Sequence, residues 1–166
     1  MPEVIQPEKP SGTLNLVWRT NAEVNDRLLA HLTPEMLPAV TPGGGFLVAQ
    51  HLAHMAEVTK CWTSLLDQDA VRDVPDLYET QAQEFVAETD LSRTWEVLGR
   101  TRNATWQALQ EARGVGNLPH APTAQFLTHL LVHDAHHRGQ ILLALKVSGH
   151  PLPADEALWA PWRDAR

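Results

Sequence analysis

Four of the chain's nine histidines fall in the dozen residues from His129 to Gln140: His129, His133, His136 and His137. Leu130, Leu131, Ile141, Leu142, Leu143 and Leu145 surround them with good helix formers, so the stretch reads as a helix. His133 and His137 then stand at i, i+4, with their rings on one face a turn apart. Two imidazoles so placed can hold one transition-metal ion, with Zn–N distances of about 2.0–2.1 Å. His129 lies one turn before His133 and could replace His137 in the pair, and His136 lies three residues beyond His133. Spacing favours a histidine pair and leaves open which pair. A lone helical histidine is more often a packed, hydrogen-bonded residue than a ligand. Four here, with His51 and His54 on another helical stretch, tilt the balance to a metal.

The elements that must position these residues are helical. Residues 1–11 are Pro-rich and read as an extended lead-in. A first helix, capped by Ser11 or Thr13, carries Leu14, Val17, Val24, Leu28 and Leu32 on one face and stops at Thr33-Pro34. Asn21 and Asn25 interrupt that face and read as interhelical hydrogen-bonding groups or as solvated ones. Thr41-Pro-Gly-Gly-Gly45 is a flexible connection, since no Gly-Lys-Ser/Thr follows to make a phosphate loop. A second helix over Phe46–Leu66 turns Phe46, Leu47, His51, His54, Val58, Cys61, Trp62 and Leu65 inward. Cys61, two turns past His54 and about 10 Å further along, reads as a core residue. Glu57, at i+3 from His54, is a candidate base. Asp76 to Glu88 reads as a short helix. Asp90 or Ser92 caps a third long helix bearing Leu91, Trp95, Leu98, Thr105 and Leu109. Gly114–Pro119 is a break, and Pro122 or Thr123 opens the fourth helix, which ends at Gly149. Trp159 and Trp162, in the tail 151–166, are expected to dock on the bundle or on a second subunit. The fold class is all-α, a four-helix bundle, and such bundles place metal sites between facing helices.

Composition narrows the rest. The 166 residues make one domain, 1–166, with an ordinary apolar content of 43%. A net charge of −7 offers no basic stripe for phosphates, which argues against a nucleic-acid partner. No run of about 18 apolar residues could span a membrane, and the N-terminus shows no apolar signal core. With a single cysteine, Cys61, no internal disulfide forms, and a cytoplasmic location is expected.

With those residues in view, the chain resembles the DinB/YfiT-like superfamily over nearly its whole length. Asn25-Asp-Arg-Leu-Leu29 and Thr33-Pro-Glu-Met-Leu37 are similar to that family's first helix and its exit. Gln50-His-Leu-Ala-His54-Met-Ala-Glu-Val58, with Trp62, looks like its helix-two motif. His133-Asp-Ala-His-His137-Arg-Gly-Gln140 looks like its fourth-helix signature and is the most specific match. The resemblance implies a divalent metal, commonly zinc or nickel, held by one histidine of helix two and two of helix four. Carried over residue by residue, the ligands are His54, His133 and His137, with His51, His129 and His136 as secondary candidates. Arg138 and Gln140 fall beside the site as supporting residues, and Gly139 implies a helix packed closely against it.

Three neutral imidazoles leave an ion an open position, the pattern of a catalytic site. A water there can fall to a pKa of about 7, and a thiol would be deprotonated outright. Imidazole must be neutral to coordinate, so affinity is expected to fall below the free histidine pKa of about 6.5. Among family members are transferases and isomerases that use low-molecular-weight thiols such as bacillithiol or mycothiol. The resemblance therefore implies a metal-dependent thiol S-transferase acting on a small electrophile, in a homodimer. Two alternatives stand beside it: a metal-dependent hydrolase with Glu57 as base, and a non-catalytic, stress-induced metal-binding protein.

Overall fold

The computed structural model describes residues 10–81, 84–111 and 123–164. They form five α-helices: α1 (Gly12–His31), α2 (Val48–Leu66), α3 (Leu91–Gln110), α4 (Thr123–Val147) and α5 (Asp155–Asp164). A hairpin of β1 (Tyr78–Gln81) and β2 (Glu84–Ala87) lies between α2 and α3. The fold is all-α with one small sheet.

Local chemistry sets the helix ends. Ser11 accepts the Leu14 N–H at 3.3 Å, and Asp90 accepts those of Ser92 and Arg93 at 2.8 and 3.2 Å. Each satisfies a first-turn donor that has no partner within its helix. α4 closes at Gly149, whose φ of 76° suits glycine. The His150 N–H then reaches back to the Leu145 carbonyl at 2.9 Å. The break expected at Gly114–Pro119 and the start at Pro122 lie outside the described residues.

Two apolar clusters reveal how the helices run. Trp18, Leu66, Leu109, Phe126, Leu127 and Leu130 share one. Leu28, Val48, Leu52, Val97, Ile141, Leu145 and Leu158 belong to the other. α1 and α4 start at the first cluster and run away from it, whereas α2 and α3 run toward it. α2 therefore lies antiparallel to α4, and the hairpin segment returns the chain so that α3 can repeat the direction of α2. α5 packs on α1: Leu158 is fully buried, and Arg27 donates to the Ala157 carbonyl at 2.9 Å.

Several expectations are corrected. Tyr78–Gln81 and Glu84–Ala87 pair as strands where a short helix was expected, with Tyr78 opposite Ala87 and Thr80 opposite Phe85. Tyr78, Thr80, Phe85 and Val86 are aromatic or β-branched, and Phe85 and Ala87 alternate inward, a period-2 pattern that suits a sheet. The Gln50 side-chain amide donates to the Phe85 carbonyl at 2.6 Å and ties the hairpin to α2. α2 begins at Val48, and Cys61 is exposed rather than packed in the core. Leu65 and Trp95 also face outward, at 52% and 41% exposure. The buried side of α2 is instead Val48, Ala49, Leu52, Ala53, Met55, Ala56, Thr59, Thr63 and Leu66. No helix of this chain packs on Gly139 among the described residues: a Cβ there would meet nothing within 4 Å.

Candidate metal centre

α2 and α4 face each other, and their histidines meet between them. One ligand atom from each of His54, His133 and His137 can be chosen so that all lie within 4.8 Å of one another. The Nε2 atoms of His133 and His137 are 3.1 Å apart. Two nitrogens on one tetrahedral ion, each about 2.0–2.1 Å from it, are separated by about 3.3–3.4 Å. The His54 ring centroid lies 5.2 Å from that of His133 and 4.9 Å from that of His137. The three residues are thus positioned to hold a metal ion.

Burial prepares these rings. It pushes His137 down to about 3 and His133 to about 4, with the charges of neighbouring histidines adding to the effect. His54 is lowered as well, by burial. All three are neutral at pH 7, the state in which imidazole coordinates.

The other candidates take different places. His51 is 6% exposed and turns its Nδ1 to the Nδ1 of His137, 2.8 Å away. His129 packs edge-on against Trp62 with centroids 5.0 Å apart. His136 is exposed, its ring 5.0 Å from that of His137. Gln140 is half-buried and makes no hydrogen bond to a histidine of the cluster among the described residues. Glu57 is half-buried and is not one of the groups gathered at the triad. Burial holds its carboxyl above the usual range, and neighbouring Asp76 pushes in the same direction.

Arg138 is buried and supports the site at a distance. It donates to the side-chain carbonyls of Asn21 and Asn25, 2.7 Å each. The amides of the same two asparagines donate to Asp134, at 2.8 and 2.7 Å. Trp159 of α5 lies over the guanidinium at 5.9 Å. Of the two readings open for the asparagines, interhelical bonding or solvation, the structure shows the first. Asp134 was not singled out, although Asn21/Asn25 and Asp134/Arg138 share the i, i+4 spacing that makes two facing pairs.

Phe46 was read as an inward residue of α2 but lies just before it, 37% exposed, edge-on to His51 and His54 at 5.6 and 5.4 Å. Phe85 continues this aromatic wall at 5.5 Å from Phe46, and Tyr78 follows at 4.7 Å from Phe85. Only a correct reading of the hairpin would have brought Phe85 and Tyr78 to this place.

A bundle with two α4 histidines and one from α2 converging is the arrangement the motifs implied. The family model of the DinB family matches residues 8–165. The chain belongs to the DinB family. No curated protein and no solved structure gives a significant match to it. Among the described residues, no helix is long and apolar enough to cross a membrane.

Proposed function

We propose that this DinB-family chain is a divalent-metal-dependent transferase that activates a low-molecular-weight thiol toward a small electrophile, with zinc or nickel as the metal. The observation that carries the reading is the incomplete donor set. Three imidazoles converge, and among the described residues no fourth His, Cys, Asp or Glu joins them. A site for storage or for structure would gain from a fourth protein ligand, whereas a catalytic one keeps a position for a substrate. A divalent ion bound there would supply Lewis acidity, lowering the pKa of a thiol that shares its shell.

The chain's own residues supply the surroundings. His54 and His133 are only half-buried, so the site can be reached from solvent. Phe46, with Phe85 behind it, offers an apolar wall beside the histidines on which the carbon skeleton of an electrophile can rest. Neutral ligands add no negative charge to oppose a thiolate.

The test is to load purified protein with zinc or nickel and incubate it with a thiol and a chromogenic electrophile. Metal-dependent, thiol-dependent transfer is expected. Ester turnover without added thiol would replace this reading with hydrolysis, and bound metal without either activity would leave a metal-binding protein.

A further inference from the structure

We propose that His51 is a positioning residue: it accepts a hydrogen bond from His137 Nδ1 and thereby fixes the tautomer in which His137 presents Nε2 to the ion. The inference rests on the metal-site reading and assigns one of its histidines a different task.

The geometry leaves two options. His51 Nδ1 and His137 Nδ1 are 2.8 Å apart, and one hydrogen must lie between them. A neutral imidazole has one N–H and one acceptor nitrogen. If His51 donates, the proton of His137 sits on Nε2. That nitrogen then has no lone pair for the point where it meets His133 Nε2 at 3.1 Å. If His137 donates, its Nε2 lone pair faces His133 and His54. Only the second arrangement lets the three rings share an ion, so His51 is the acceptor and carries its own proton on Nε2.

The surroundings hold His51 to this task. It is 6% exposed, as is His137, so water does not compete freely for the shared hydrogen. The edge-on contact with Phe46 at 5.6 Å restrains its ring. Its Nδ1 is committed to His137, which explains why a histidine one turn from His54 stands outside the triad. The support is selective as well. His133 Nδ1 is buried with no hydrogen-bond partner among the described residues, so of the two α4 histidines only His137 is oriented in this way. Metal-bound histidines commonly give their second N–H to a carboxylate or a carbonyl. An imidazole does the same work without bringing a negative charge near the ion.

The test uses the full chain and zinc, titrated in competition with a chromogenic chelator at neutral pH. His51→Ala is expected to keep one ion per chain and weaken it about 10–100-fold, the usual effect of losing such a partner. His51→Asn places an amide oxygen where Nδ1 stood and should recover affinity to within a few fold. Long-range proton–nitrogen spectra of the zinc-loaded wild-type protein should show His137 protonated at Nδ1 and His51 at Nε2, a readout that needs no variant to fold. Wild-type affinity in His51→Ala overturns the proposal. So does complete loss of the ion, which would make His51 a ligand, or failure of His51→Asn to recover what His51→Ala lost, which would make its role packing. Absence of zinc binding by the wild-type chain would instead overturn the metal-site reading, and that outcome is distinct from the others.

Discussion

Asn21 and Asn25, one turn apart on α1, share both of their partners on α4. Each amide nitrogen donates to the same Oδ2 of Asp134, at 2.8 and 2.7 Å, and each amide oxygen accepts from the same Nη1 of Arg138, at 2.7 Å. The two charges are thus joined through amides rather than by a direct ion pair. Burial pushes the Asp134 carboxyl up, and the two amides pull it back. On a helix each residue turns about 100° from the last. With Asp134 and Arg138 fixed toward α1, His133 and His137 are turned toward α2. The bracket sets the rotation of α4 and therefore the site.

Breaking the bracket should be expensive. Asp134→Ala leaves the Arg138 guanidinium buried and uncompensated, which typically costs about 3–5 kcal/mol. Asn21→Ala leaves polar groups unsatisfied and should cost about 1–3 kcal/mol. Replacing Asp134 and Arg138 together with leucine and methionine should recover much of the loss. Urea denaturation curves measure all three. A loss under about 0.5 kcal/mol in Asp134→Ala, the range of ordinary surface substitutions, would show that the bracket does not hold α4.

Acid should act through the buried histidines. His51 and His133 are pushed down to about 4 and His137 to about 3, first by burial and then by their neighbours. In the unfolded chain they return to about 6.5. Between these limits the unfolded state binds more protons, so stability rises with pH through the window. It is complete above about 6.5 and is lost as pH falls toward 4–3. Thermal melts of metal-free protein across this range should show the decline, less steep in His137→Gln. The lowering of His54, His133 and His137 moves the expected loss of metal below the free histidine value of about 6.5. A melting temperature independent of pH across the window would contradict this account.

A second copy of the chain is proposed as the partner of the outer face of α4. Val132, Leu143 and Val147 are 61%, 45% and 45% exposed there. Gly139 lies on the same helix with open space over it. Glycine in an exposed helix interior costs about 1 kcal/mol against alanine, and among the described residues no close packing over Gly139 offsets that. Sedimentation should show a species at twice 18.5 kDa, converted to the single mass by Val132→Glu with Leu143→Glu. A wild-type monomer at micromolar concentration rejects the dimer.

The sequence carried the helical frame because α1, α2 and α3 each repeat an apolar side over several turns, while α4 is a run of good helix formers ended at Gly149. A histidine pair on α4 was legible for the same reason, being defined within one helix, and the family resemblance rather than spacing singled out His133 and His137. The hairpin was not, since each of its strands spans four residues and its alternation is too short to oppose a helical reading. His51 and His54 could not be separated by spacing, because residues three apart share a helix face. Their roles are distinguished by contacts with α4, the His51 Nδ1 meeting His137 Nδ1 across 86 positions of sequence. Cys61 and Leu65 misled for a related reason. They continue the line of His54 and Val58 along α2, which is half-buried at the triad and exposed by the last turns of the helix.

The ligand set itself makes the sharpest prediction. If His54, His133 and His137 hold the ion, alanine at any one removes a third of the protein donors and should lose most of the bound metal. His129→Ala and His136→Ala should retain it, because His129 is turned to Trp62 and His136 to solvent. Metal content of all five variants, purified without chelators or a metal-affinity column and measured at one pH, is the comparison. Partial loss in His136→Ala would still be consistent with contact between its ring and that of His137, 5.0 Å away. Retention in His54→Ala would remove α2 from the site and with it the link between the facing helices. Full retention in both His133→Ala and His137→Ala would end the metal-centre reading, since no other group of three donors is gathered among the described residues.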